Sequence, residues 1–96
     1  MSERELFEKK YRAKIDEWKA EAAKLRAKAE GARAEAQIEQ KREVESLERE
    51  IAHAEARLAE MRDAGDDAWS SLKEGAEGAW ESLTDGFRRA SERLKG

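Results

Sequence analysis

Apolar residues recur along the first two-thirds of the chain at steps of four and three. Tyr11, Ile15, Trp18, Ala22, Leu25, Ala29, Ala32 and Ala36 form one unbroken series. Gln40 and Val44 follow at two successive fours, a stutter that locally unwinds a supercoil. The series resumes as Val44, Leu47, Ile51, Ala54, Leu58 and Met61. Alternating fours and threes are the heptad seam of a coiled coil, with polar residues on the remaining faces. Ile38 is the one clear apolar residue off the stripe. Ser2-Glu3-Arg4-Glu5 fits the capping box, placing the helix start near residue 2. The chain has no proline. The seam predicts a single helix over residues 2 to 62, roughly 90 Å long.

Residues 63 to 67, Asp-Ala-Gly-Asp-Asp, are the candidate break. Gly65 suits a helix C-terminus and Asp66 a helix N-cap. Against a turn, Met61, Gly65, Ala68 and Leu72 keep the seam's phase. The expectation is therefore a continuous or gently bent helix, with a hairpin turn as the alternative. Beyond the break the period changes. Ala68-Trp-Ser-Ser-Leu-Lys-Glu-Gly75 aligns with Ala79-Trp-Glu-Ser-Leu-Thr-Asp-Gly86, and Ala90 and Leu94 begin a third copy. An eleven-residue repeat keeps a stripe aligned on a nearly straight helix. The stripe expected here is Ala68, Leu72, Ala76, Ala79, Leu83, Phe87, Ala90 and Leu94, flanked on one edge by Trp69 and Trp80. The predicted fold is all-α, a long-helix coiled coil over 1–64 followed by an amphipathic helix over 65–96.

Composition narrows the function. Ala, Glu, Lys, Leu and Arg fill roughly two-thirds of the chain, above the share usual for coiled coils. Leu, Ile, Val and Phe are too few to wrap the thick core of a walled enzyme pocket. The net charge is −3, which does not suit a general nucleic-acid binder. No cysteine is present, so thiol catalysis and Cys-ligated zinc are excluded, and a reducing cytoplasm fits. No apolar run is long enough to span a membrane, and the charged first residues do not read as a secretory signal. His53 is the sole histidine and reads as a residue flanking the seam. Asp66 and Asp67 read as helix-capping residues. No catalytic, cofactor-binding or metal-ligating residues are expected, nor a nucleic acid or small-molecule substrate.

The tail run from Asp66 to Leu83, with its Asp-Asp-Ala-Trp-Ser-Ser-Leu-Lys-Glu-Gly core and second Ala-Trp-Glu-Ser-Leu, resembles that of small bacterial coiled-coil proteins of a cyanobacterial-type stress-response family. The spacing of Tyr11, Ile15 and Trp18 fits that family as well. The resemblance implies a stress-linked bacterial protein and brings no catalytic residues with it.

Charge blocks set an orientation. Lys9, Lys10, Arg12, Lys14, Lys19, Lys24, Arg26 and Lys28 outnumber Asp16, Glu17 and Glu21 in the first block. Between residues 43 and 60, Glu43, Glu45, Glu48, Glu50, Glu55 and Glu60 outnumber Arg49 and Arg57. An antiparallel pair of copies sets one block against the other. In the register that also balances side-chain size, Tyr11 faces Leu58, Ile15 faces Ala54, Trp18 faces Ile51, Ala22 faces Leu47 and Leu25 faces Val44. The expectation is a non-enzymatic structural or interaction protein, self-associating as an antiparallel dimer or docking another helix. Its contact residues would be Tyr11, Ile15, Trp18, Leu25, Val44, Leu47, Ile51, Leu58 and Met61 on the seam, and Trp69, Leu72, Trp80, Leu83, Phe87 and Leu94 on the tail. Two other arrangements remain open. The tail helix folds back along residues 35 to 62, or it lies on a lipid surface as a peripheral amphipathic helix, like those of desiccation protectants.

Overall fold

The computed structural model describes residues 1–95. Three helices account for nearly all of them: α1 (Glu3–Glu30), α2 (Ala34–Asp63) and α3 (Asp66–Arg93). Among the described residues the fold is all-α, an elongated antiparallel bundle of 50 × 20 × 17 Å.

The helix begins where the capping box places it. The Ser2 hydroxyl accepts from the Glu5 amide at 3.1 Å and donates to the Glu5 carboxylate at 3.1 Å. The continuous helix over residues 2 to 62 is corrected: α1 ends at Glu30, and the chain reverses through Gly31, Ala32 and Arg33. Gly31 is the weakest helix former before residue 65. Its amide still bonds back to the Ala27 carbonyl at 3.2 Å, and the Gln37 side chain covers the Glu30 carbonyl at 2.8 Å. Arg33 takes an extended conformation, and its carbonyl receives the Ala36 and Gln37 amides that open α2. A single helix would leave its whole apolar stripe against water. Reversal at the weakest point covers the stripe within the chain, with only three residues of loop to close.

The second reversal, at residues 63 to 67, is a turn, not a bend. Ala64 and Gly65 are both extended. Gly65 is the residue preceding α3, with no left-handed backbone, and Asp66 and Asp67 lie inside the first turn of α3 instead of capping it. There their charges complement the helix dipole. The seam keeps its phase across this turn, as it also does across the turn at residues 31–33. Each helix must turn its own stripe inward, and that requirement does not forbid neighbouring stripes from sharing a phase.

One core runs through all three helices. Tyr11, Ile15, Trp18, Ala22, Leu25 and Ala29 from α1 are buried, as are Val44, Leu47, Ile51, Ala54, Leu58 and Met61 from α2. Ala76, Leu83, Phe87 and Ala90 from α3 and Leu94 just beyond it complete the set. Residues on both sides of residue 65 contribute to this core. Ile38, off the stripe, is 65% exposed.

Candidate interaction surface

The antiparallel pairing of basic and acidic blocks is made inside the chain. Lys19 meets Glu55 at 2.8 Å, and Arg26 meets Glu48 through both guanidinium edges, Nε at 3.2 Å. Glu48 supports the guanidinium charge, raising the Arg26 pKa above its ordinary value. Lys19, Ala22, Glu48 and Ile51 border one shallow cleft on this side, so α1 and α2 sit near the expected register. These pairs are part-exposed, so solvent screens them and their contribution to stability is small. Their effect is on orientation, since a parallel arrangement would set like charges together.

The opposite side of α1 carries the aromatic residues and receives α3. Phe7 stacks on Tyr11 at 5.9 Å and takes the edge of Trp69 at 5.8 Å. Trp80 lies 6.0 Å from Tyr11 and 5.8 Å from Trp18, edge to face with the latter. These rings, not close backbone approach, join α1 to α3. Edge-to-face pairs at such separations contribute about 0.5–1.5 kcal/mol beyond their area. Two lysines cover the cluster. Lys14 lies 6.0 Å from the Trp18 ring and 5.9 Å from Trp80; Lys73 lies 5.4 Å from Phe7 and 5.8 Å from Trp69. The tail stripe is shifted from the expected one. Ala68 is exposed, whereas Trp69, Leu72 and Trp80 are half-buried and pack on the core. Trp69 and Trp80 thus take central positions in the contact with α1, not its edge.

Arg4 closes this end of the bundle. Its Nη2 donates at 2.7 Å both to the Ala64 carbonyl and to the Met61 carbonyl, which also accepts the Ala64 amide, at the end of α2. Its Nε reaches Glu8 at 3.2 Å, and its guanidinium lies 5.6 Å from the Trp69 ring centre. Trp69 Nε1 donates to the same Glu8 carboxylate at 2.9 Å. One arginine therefore ties α1 to the end of α2 and the start of α3. Phe7 was legible as one further step of four before Tyr11. Arg4, Glu8 and Lys73 carried no signal, because their partners are far away in sequence.

Of the apolar seam residues named from the sequence, all are buried except Ala32 and Ala36, which are half-buried beside the turn, and the tail residues Leu83, Phe87 and Leu94 are buried with them. The contacts they make are between helices of one chain. Between α1 and α3 a groove remains, lined by Trp18 and Phe87 and by both basic (Lys14, Lys24, Arg88) and acidic (Glu17, Glu21) side chains. His53 is exposed in a second groove, between α2 and α3, beside Glu50 and Arg57. Among the described residues there is no grouping of three His, Asp or Glu side chains that could hold a metal ion. Nor is any described helix long and apolar enough to cross a membrane. No protein family, curated protein or solved structure matches the chain.

Proposed function

We propose that the protein is a non-enzymatic helical interaction protein of the bacterial cytoplasm, linked to stress, which works by pairing its helices with a second copy or with a partner helix. The observation that carries this reading is the composition of the interior. Every buried residue among those described is hydrophobic, and all of them join one core shared by the three helices. The polar specificity lies outside, in pairs such as Lys19–Glu55 and Arg26–Glu48. Surfaces of this kind recognise helices of matching stripe and opposite charge. The link to stress comes from the resemblance of the tail run from Asp66 to Leu83.

Sedimentation equilibrium over a wide concentration range tests the self-association. A reversible shift towards twice the mass of 10.9 kDa is expected at high concentration. A monomer at every concentration would remove the homo-oligomer and leave only a foreign helix.

A second reading rests on α3, the most amphipathic of the three helices. It joins α1 chiefly through aromatic side chains and follows a turn at Ala64 and Gly65. Swung away, it would present Trp69, Leu72, Trp80, Leu83 and Phe87 to a lipid surface. Tryptophan fluorescence that is unchanged by anionic or neutral vesicles counts against it.

A further inference from the structure

We infer that two copies of this chain exchange α1, by straightening of the Gly31–Arg33 turn, to form an antiparallel dimer in which α1 and α2 are one continuous helix. This deepens the self-association reading and rests on it. Four observations support the exchange.

First, among the described residues a single side-chain hydrogen bond spans the turn, from Gln37 to the Glu30 carbonyl. Gly31 already lies in the right-handed helical region at φ −85°, ψ −2°. Arg33 has no side-chain cap bond, and no proline stands in or near the turn. Second, the seam keeps its phase across the turn, since Ala29, Ala32 and Ala36 step by three and four. A straightened helix would therefore present one stripe from Tyr11 to Met61, not two stripes on different faces. Third, the balanced register places the two-fold axis of an antiparallel pair between Ala29 and Ala36, where the hairpin turns. Hairpin and dimer thus use the same layers. Fourth, every described contact that α1 makes with another helix is with α2 or α3, which also pack on each other. In the exchanged dimer Lys19–Glu55, Arg26–Glu48, Arg4 to the Met61 and Ala64 carbonyls, Glu8–Trp69 and the Trp18–Trp80 pair are all remade between subunits. The exchange thus removes no described core contact and makes the turn helical.

The assembled molecule is two three-helix bundles end to end, joined by paired helices of roughly 90 Å. Residues 31–33, exposed or half-buried as a turn, become the centre of the interface.

Two substitutions act on the turn in opposite directions. Gly31→Ala favours the continuous helix, and its Cβ meets only the Ala27 and Lys28 carbonyl oxygens at 3.7 Å, so the hairpin tolerates it too. Ala34→Pro suits the hairpin. Ala34 is the first residue of α2, where proline fits. Arg33 before it, at φ −62° and ψ 151°, already has the conformation proline imposes on its predecessor. Inside a continuous helix the same proline is strongly disfavoured.

The test combines sedimentation equilibrium with crosslinking. Unlabelled and 15N-labelled full-length chains are unfolded together, refolded and concentrated, and the dimer fraction is treated with a zero-length carbodiimide. About half of the Lys19–Glu55 crosslinked peptides should join a light to a heavy chain. Gly31→Ala should raise the association constant about tenfold. Ala34→Pro should lower it at least about a hundredfold while keeping the monomer's helix content and melting transition. A dimer whose Lys19–Glu55 crosslinks are all of one isotope overturns the exchange and leaves self-association standing. A dimer that Ala34→Pro does not weaken overturns it as well. Absence of any dimer, in the parent chain and in Gly31→Ala, overturns both the exchange and the self-association.

Discussion

Tyr11 is the residue at which the core departs from simple apolar packing. Its ring is fully buried among Phe7, Trp18 and Trp80, and its hydroxyl has no hydrogen-bond partner. A buried hydroxyl without a partner costs about 1–3 kcal/mol. Burial raises the phenol pKa above its ordinary value, and the nearby Arg57 charge offsets only part of the effect. The sign of the pH dependence follows. Below about pH 10 both folded and unfolded chains hold the proton, and stability is unaffected. Above it the unfolded chain releases the proton first, so stability falls until the folded value is passed. Tyr11→Phe keeps the ring and removes the hydroxyl. It should leave stability at pH 7 unchanged or raise it by about 1 kcal/mol, and remove this part of the alkaline loss. Urea denaturation of both proteins at pH 7 and pH 10.5 checks this. A Phe variant less stable by more than about 1 kcal/mol would mean that the hydroxyl has a partner, such as an internal water.

At the scale of the element, the glycines of α3 separate propensity from packing. A methyl group added at Gly78 meets nothing within 4 Å, whereas at Gly86 it comes within 3.1 Å of Leu47 Cδ2 on α2. Gly78→Ala should stabilise by about 1 kcal/mol, the intrinsic difference between the two residues in a helix. Gly86→Ala should gain less, or lose, because Leu47 is buried and must shift to make room. Thermal unfolding of the two variants gives the comparison, and equal gains would mean that α3 stands further from α2. The seam residues of α1 and α2 were legible because burial on one helical face repeats every three to four residues, and that pattern is local. The ends of the helices were less so. Gly31 marks a turn only because covering the stripe within the chain outweighs helix continuity, and that balance involves residues twenty or more positions away. The α3 stripe was misplaced by one residue at Ala68 for a related reason. Alanine and tryptophan alternate as neighbours there, and only the position of α1 decides which of them faces inward.

For the whole molecule, the sequence divides at residue 65, where the apolar period changes, yet the core does not divide there. Trp80 packs on Tyr11 and Trp18, and Arg4 binds the carbonyls that lead into α3. The α1–α2 pair taken alone would expose that aromatic face and keep a narrow seam in which several positions are alanine. Isolated helices gain most of their stability from packing, and a two-helix pair of this size has little core to supply it. The full chain should therefore unfold in one cooperative transition, with near-ultraviolet and far-ultraviolet circular dichroism coinciding. A fragment of residues 1–64 should lose helix gradually, without a sharp midpoint, at concentrations low enough to keep it monomeric. Were the fragment to melt as steeply as the full chain, α1 and α2 would be a self-sufficient unit with α3 an appendage. The Trp80 contacts would then contribute little, and release of α3 towards a lipid surface would be the cheaper motion. If the fragment instead recovers a sharp transition only as its concentration rises, α1 and α2 are pairing between chains, with a second copy supplying what α3 supplies in the monomer.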